Sequence, residues 1–148
     1  VTELPIEIRP ALVSDLEAIA GLDAALTPAW SVGAYADELT RGDALLLVAM
    51  EGGQPAGFLA ARHAADRAEI LRLAVRPELR RRGLAARLLS TALRRLGERG
   101  VRRWWLELAE DNVAASAFYV AQGFRICGRR PRYYPGGVAA LLMEREGL

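Results

Sequence analysis

The sequence contains no lysine; all 20 of its basic residues are arginine. That excludes Schiff-base catalysis by a lysine amine and the P-loop nucleotide motif, whose lysine holds phosphate. Cys127 is the sole cysteine, so no internal disulfide forms. His63 is the sole histidine, which excludes zinc sites built from several Cys and His ligands. The longest unbroken apolar run, Ala44 to Met50, is far shorter than the roughly 20 residues that span a bilayer. The segment Val1–Glu7 has neither a basic head nor a long apolar stretch. No secretory signal is visible, and a cytoplasmic protein is expected. The dinucleotide pattern G-x-G-x-x-G is absent.

What is present reads as one compact unit. The chain has 148 residues, 52% hydrophobic and 26% charged, enough for a real core. No linker, repeat or low-complexity segment divides it, so a single domain over 1–148 is expected. A net charge of +2 argues against bulk polyanion binding, although a local arginine cluster can still hold an anion.

Periodicity supplies the elements. Ile6–Arg9 alternates as a short strand. Ser14-x-x-Glu17 has the form of a capping box, with Leu16, Ile19, Leu22 and Leu26 following at helical spacing. Pro28 breaks that helix, and Ser31 caps a second carrying Tyr35 and Leu39. Ala44–Met50, Ala56–Arg62 and Ala68–Val75 read as strands, with a turn at Gly52-Gly53 and a polar connection over His63–Arg67. A long helix follows Arg80–Gly83, with Ala85, Leu88, Leu89, Ala92 and Leu96 on one face and Gly100 beyond its end. Arg103–Leu108 is a strand and Asn112–Gln122 a helix. Arg125–Arg130 and Val138–Glu144 are final strands. The order predicts a mixed α/β fold around one sheet.

The segment Arg80-Arg81-Arg82-Gly83-Leu84-Ala85 joins a strand to that long helix. First-turn N–H groups lack internal partners and the helix dipole adds positive potential, so such a junction suits phosphate. Gly83 and Ala85 are small enough for close approach to the backbone. Taken alone, the loop also reads as a solvated arginine-rich turn. With Arg94, Arg95, Arg99, Arg102 and Arg103 it also reads as an RNA-binding surface.

The loop does not stand alone. Val75–Ala85 resembles the acetyl-CoA motif Q/R-x-x-G-x-G/A of the GNAT N-acetyltransferases, with Arg80, Gly83 and Ala85 at its fixed positions. Downstream, Trp105-Leu106-Glu107-Leu108, Asn112, Ala114-Ala115, Phe118-Tyr119, Gly123-Phe124, Arg129-Arg130 and Tyr133-Tyr134-Pro135 resemble the RimI-type ribosomal-protein-alanine N-acetyltransferases. Pro28-Ala29-Trp30-Ser31 resembles that subgroup's first-loop Pro-Trp-Ser, with one residue inserted. The similarity covers nearly the whole chain.

The resemblance implies a GNAT-like, mostly antiparallel sheet of six to seven strands with about four helices. It implies acetyl-CoA as cosubstrate, no metal, and transfer of acetyl to a primary amine. The acceptor it implies is the N-terminal alanine of a small-subunit ribosomal protein, with no membrane and no direct nucleic-acid partner. Leu73, Ala74 and Val75 would receive the pantetheine arm and thioester. Arg80, Arg81, Arg82, Gly83, Leu84, Ala85 and Ala86 would meet the pyrophosphate. Asn112, the sole asparagine, would also contact the cosubstrate. Glu107 matches the family's general base, and Tyr119 its general acid and a further cosubstrate contact. Trp30, Tyr133 and Tyr134 would border the acceptor.

The chemistry asks for such groups. An amine attacks a thioester only as the free base. An α-amine, with a pKa of about 7.7–8, needs less help than a lysine side chain near 10.4. A carboxylate acting through water removes the proton. Glu107 lies in an otherwise apolar strand, on Trp105's face and opposite Trp104, Leu106 and Leu108. A charge there must be paired or solvated by a cleft; an ion pair with an arginine is the structural alternative. Tyr119 could protonate the leaving thiolate, or serve as a core aromatic beside Phe118. The developing oxyanion needs a donor, and the Val75 N–H serves if its strand is bulged. Cys127 reads as a small buried hydrophobe and His63 as part of a surface connection. Tyr133 and Tyr134 also read as ordinary strand-edge aromatics.

One segment departs from the resemblance. After Tyr133-Tyr134-Pro135 the family has a longer hairpin with acidic residues; here only Gly136-Gly137-Val138 follows. That leaves the acetyl-CoA site as it was and opens the acceptor. A small-molecule amine or a lysine side chain is the alternative acceptor, and a non-catalytic RNA- or ribosome-binding module the alternative of another class.

Overall fold

The structure, a computed structural model, describes residues 5–24, 26, 29–80 and 82–147. Its strands are β1 (Ile6–Pro10), β2 (Ala44–Glu51), β3 (Gln54–Ala64), β4 (Arg67–Val75), β5 (Arg103–Ala109), β6 (Arg125–Arg130) and β7 (Ala140–Glu146). Its α-helices are α1 (Leu16–Asp23), α2 (Val32–Thr40), α3 (Leu84–Gly97) and α4 (Val113–Ala121). They form one seven-stranded sheet in the order β1-β2-β3-β4-β5-β7-β6. Every neighbouring pair is antiparallel except β4 and β5. This is the mixed, mostly antiparallel architecture expected from the sequence.

Helices cover both faces, which is why β2 reads as a continuous apolar run rather than an alternating one. On one face Leu84, Leu88, Leu89, Ala92, Leu93 and Leu96 of α3 pack with Leu47, Leu59, Ile70, Trp104 and Leu106. Tyr119 and Phe124 join that core from α4 and its exit. On the other, Leu16, Ile19 and Tyr35 of α1 and α2 pack on Leu46, Val48, Phe58 and Ala60.

Buried carboxylates tie the α1–α2 layer to the sheet. Asp15 pairs with Arg9 of β1 at 2.7 Å, Asp23 with Arg72 of β4 at 3.2 Å, and Glu38 with Arg62 of β3.

Several local expectations change. His63–Arg67 is not a connection: β3 runs to Ala64, β4 starts at Arg67, and the hairpin turns through Ala65 at φ +53°. The alternating pattern ends there because the strand tips are exposed on both faces. Ser14 does not cap α1. Asp15, inside a 3-10 turn over Val13–Asp15, accepts the Leu12 N–H at 2.7 Å and also holds Arg9, a stronger combination. Helix α1 stops at Asp23, short of Leu26; Pro28, the expected breaker, lies outside the described residues. Ser31 does cap α2, accepting from the Ala34 N–H at 3.1 Å. Cys127 is exposed rather than buried, because β6 is an edge strand and shifts register between Ile126 and Gly128. The last strand starts at Ala140, since Pro135–Gly137 form a 3-10 turn with Gly136 at φ +85°.

Candidate active site

A gap opens in the middle of the sheet. The parallel pairing of β4 with β5 runs only from Arg67↔Arg103 to Ile70↔Leu106. On the other side of β4, pairing with β3 continues to Val75. Arg76 N–H donates to Ala56 C=O at 2.8 Å. By antiparallel alternation, Ala74 and Arg72 then face β3. Leu73 and Val75 turn their N–H and C=O groups away from β3, towards the side where β5 has parted. A ligand with amide groups of its own can pair with that free edge as a strand would.

The expected bulge is present at a different place. Ala60 opposes Arg72 and Ala61 opposes Ile70, so Leu71 is the extra residue, four positions before Val75. The Val75 N–H is left open by the departure of β5, not by a bulge at Val75. Gly57 opposes Val75, and a Cβ on it would lie 2.9 Å from Ala74 O and 3.1 Å from Val75 Cγ2. Nothing in the sequence pattern singled that glycine out.

The strand β4 leads through Pro77–Leu79 to the start of α3. Gly83 caps the helix at φ +74°, the left-handed region that glycine enters at little cost. A Cβ there would meet nothing within 4 Å, so the requirement is backbone conformation, not space. The first helical hydrogen bond is Arg87 N–H to Gly83 C=O at 3.0 Å, and Gly83 offers no side chain to cap with. The N–H groups of Leu84, Ala85 and Ala86 therefore open the helix as donors. Leu84 contributes only its backbone, because its side chain is buried in the core, 2% exposed. Arg80 is exposed, and Arg81 lies outside the described residues. Arg82 reaches Glu51 at the end of β2 at 3.0 Å, and Arg76 approaches the same carboxylate at 3.6 Å. Glu51, which sequence reading missed, thus holds the loop's base to the sheet.

Glu107 and Tyr119 come from opposite faces of the sheet. Glu107 shares the α1–α2 face with Trp105, as alternation predicted, while Trp104, Leu106 and Leu108 enter the α3 core. Its strand is central, and Arg130 Nη1 stands 3.7 Å from its carboxylate. Tyr119 is 8% exposed on the α3–α4 side, edge-on to Phe118 and Phe124 at 5.2 and 5.4 Å. Burial pushes its ionisation far above that of a free phenol, so it keeps its proton at neutral pH. It is a core aromatic that carries a phenol proton. Asn112 is the N-cap of α4, its Oδ1 accepting from the Ala115 N–H at 3.2 Å.

Around Glu107 the structure gathers residues from several elements. Tyr134 lies in its field: burial first and the Glu107 charge second push the phenol's ionisation up. Tyr133 packs edge-on to Tyr134 at 5.1 Å, with the Arg130 guanidinium 5.6 Å from the Tyr133 ring. Glu69 of β4 opposes Trp105, one step from Glu107 on the same face. Desolvation, then the Glu107 charge, hold its carboxyl above the usual range, with Arg62 opposing. Neither Glu69 nor Arg72 stood out in the sequence; their significance comes from the strand that pairs beside them. Trp30 sits farther along, its ring 4.9 Å from the Arg72 guanidinium. Among the described residues no cluster of His, Cys, Asp and Glu has metal-site geometry.

Residues 14–124 match the model of the Acetyltransferase (GNAT) family. The chain belongs to the GNAT family. That stretch contains the β4–β5 gap, the α3 junction, Glu107 and Tyr119. The [Ribosomal protein bS18]-alanine N-acetyltransferase of Escherichia coli (strain K12) is 36% identical over 85 residues, 57% of this chain and 57% of that protein. The match thus spans little more than half the length of that curated relative. The putative [ribosomal protein bS18]-alanine N-acetyltransferase of Bacillus subtilis (strain 168) is 29% identical over 139 residues, 92% of each chain. The crystal structure of the ribosomal-protein-S18-alanine N-acetyltransferase from Escherichia coli superposes with a TM-score of 0.87 at 29% identity, covering 96% of this chain and 94% of that one. The GNAT fold expected from the motifs is therefore the fold of this protein. No helix among the described residues is long and apolar enough to cross a membrane.

Proposed function

We propose that this protein, acting as a single catalytic domain, transfers the acetyl group of acetyl-CoA to a primary amine, and that the amine is the N-terminal alanine of a ribosomal protein. The observation that carries the first part is the continuity of the β4–β5 gap with the start of α3. The free edge at Leu73 and Val75 suits the amide groups of pantetheine. The donors at Leu84, Ala85 and Ala86 suit the pyrophosphate, with Arg80, Arg81 and Arg82 adding positive charge and Asn112 a further contact. The named activity of the bacterial relatives supports the second part.

In this reading Glu107 takes the proton of the incoming ammonium through water, leaving the lone pair free to add to the thioester carbon. The Val75 N–H donates to the carbonyl oxygen as charge develops there. The C–S bond breaks, Tyr119 gives its phenol proton to the departing thiolate, and the second proton of the attacking nitrogen, passed through water, restores the phenol that burial favours. Trp30, Tyr133 and Tyr134 border the acceptor.

The test measures thiol release from acetyl-CoA with a lysine-free peptide beginning with alanine, against the same peptide with a blocked N-terminus. Release with the free amine alone is expected. Glu107→Gln is expected to lower turnover by about 10²-fold or more while acetyl-CoA binding persists. Release at equal rate from the blocked peptide would overturn the α-amine assignment. Cosubstrate binding with no release from any peptide would move the assignment to a small-molecule amine.

A further inference from the structure

The strand that lines the gap carries a buried arginine. Arg72 follows directly on the Leu71 bulge, in the otherwise apolar run Ile70-Leu71-Arg72-Leu73-Ala74-Val75. Its side chain is 8% exposed, and its partner Asp23 is fully buried. The other two arginines that tie the α1–α2 layer are far more exposed, 26% for Arg9 and 40% for Arg62. Desolvating both members of an ion pair is costly, and apolar residues of equal volume would hold the layers together as well or better. Stability alone therefore does not account for this pair.

Its placement does. Asp23 Oδ1 takes Arg72 Nη1, while Asp23 Oδ2 accepts the Trp30 backbone N–H. The Arg72 guanidinium lies against the Trp30 ring at 4.9 Å, and that ring leans on Tyr35 at 5.3 Å, itself edge-on to Phe58 at 5.6 Å. The pair thus holds Trp30 twice: Asp23 takes its backbone N–H, and Arg72, fixed by Asp23, lies against its ring. It does so beside Leu73, whose backbone faces the gap, and on the sheet face that carries Glu69, Trp105 and Glu107. A planar, five-donor cation is needed for both contacts; a lysine ammonium makes only one well.

We infer that Arg72 is a positioning residue that sets acceptor selectivity: clamped between Asp23 and Trp30, it keeps Trp30 close over β4, so that only a small first side chain fits beside the reacting amine. This rests on the acetyltransferase reading above. Asp23 and Trp30, the partners described for Arg72, belong to neither the α3 junction nor β5, so loosening the clamp changes which acceptor enters and leaves the cosubstrate's site intact.

The test compares kcat/KM for two lysine-free peptides that differ only in their first residue, alanine or leucine, in wild type, Arg72→Lys, Arg72→Met and Trp30→Ala. A ratio is read because loss of folded enzyme lowers both rates equally and cancels. Wild type is expected to favour alanine. Arg72→Met and Trp30→Ala are expected to cut that preference by about tenfold or more, the scale on which pocket size discriminates. Arg72→Lys should fall between, with KM for acetyl-CoA within about twofold of wild type throughout. Trp30→Ala leaves the buried ion pair in place, so it reports even if the Arg72 variants fail to fold. An unchanged ratio in the folded variants overturns the inference and leaves the function standing. A wild type that treats both peptides alike does the same. A wild type that acetylates neither peptide overturns the α-amine reading and this inference with it.

Discussion

Two single residues carry a cost in the folded state, one in its backbone and one in its charge, and each makes a prediction. Gly83 holds φ +74° with open space around it. Alanine at such a position costs about 1 kcal/mol in backbone strain. Gly83→Ala is therefore expected to lower stability by about that amount in a denaturant melt. KM for acetyl-CoA should rise as well, because the strain is relieved by moving the donors of Leu84, Ala85 and Ala86. Glu69 pays for its neighbour instead. Its carboxyl is held above the ordinary value of about 4.3, by burial first and by Glu107 second. The folded state thus binds this proton more tightly than the unfolded chain does. Stability from that difference is full below the unfolded pKa and is lost as pH rises through the folded one. Glu69→Gln removes the loss, so the variant is expected to melt higher than wild type at pH 7, with the gap closing towards pH 4. A thermal melt series in pH checks it.

At the scale of elements, the gap depends on how closely β3 and β4 approach on its intact side. Gly57 allows that approach: a Cβ would meet Ala74 O at 2.9 Å, Val75 Cγ2 at 3.1 Å and Leu88 Cδ1 at 3.3 Å. The first of these is backbone and cannot swing aside. Gly57→Ala is expected to destabilise by about 1–3 kcal/mol, the usual range for overpacking. Because the pressure falls on Ala74 and Val75, acetyl-CoA binding should weaken in the same variant; calorimetric titration alongside a melt reads both. Gly83, by contrast, acts through φ alone. Two glycines in one site serve for different physical reasons, and only coordinates separate them.

At the scale of the whole molecule, one geometric fact organises the rest: a seven-stranded sheet whose two central parallel strands part after Ile70 and Leu106. The amides of Leu73 and Val75 then face no strand. Hydrogen exchange is expected to be fast at these two amides and slow at Arg72 and Ala74, which pair with β3. Adding coenzyme A should protect Leu73 and Val75 selectively. Equal protection across residues 72–75 without ligand would contradict the register described above.

The sequence by itself determined a good deal. Helix α3 announced itself because a one-sided apolar stripe must be buried, and β2 because a chain buried on both faces has no room for polar residues. The α3 junction was legible because arginines, a glycine and a helix start stand next to one another in the chain. Glu107 was legible because a charge in an apolar strand needs a reason. The tertiary structure alone decided the rest. Strand pairing set Glu69 beside Glu107, though 38 positions separate them in the chain. It also put Arg72 between Asp23 and Trp30, Glu51 under Arg82, and Gly57 against Val75. Each of these is a contact between distant segments, fixed by register, and a one-residue change of register would move every one of these side chains to the other face. Periodicity reports which face a residue takes within its own strand; which neighbour it meets there is a property of the assembled sheet.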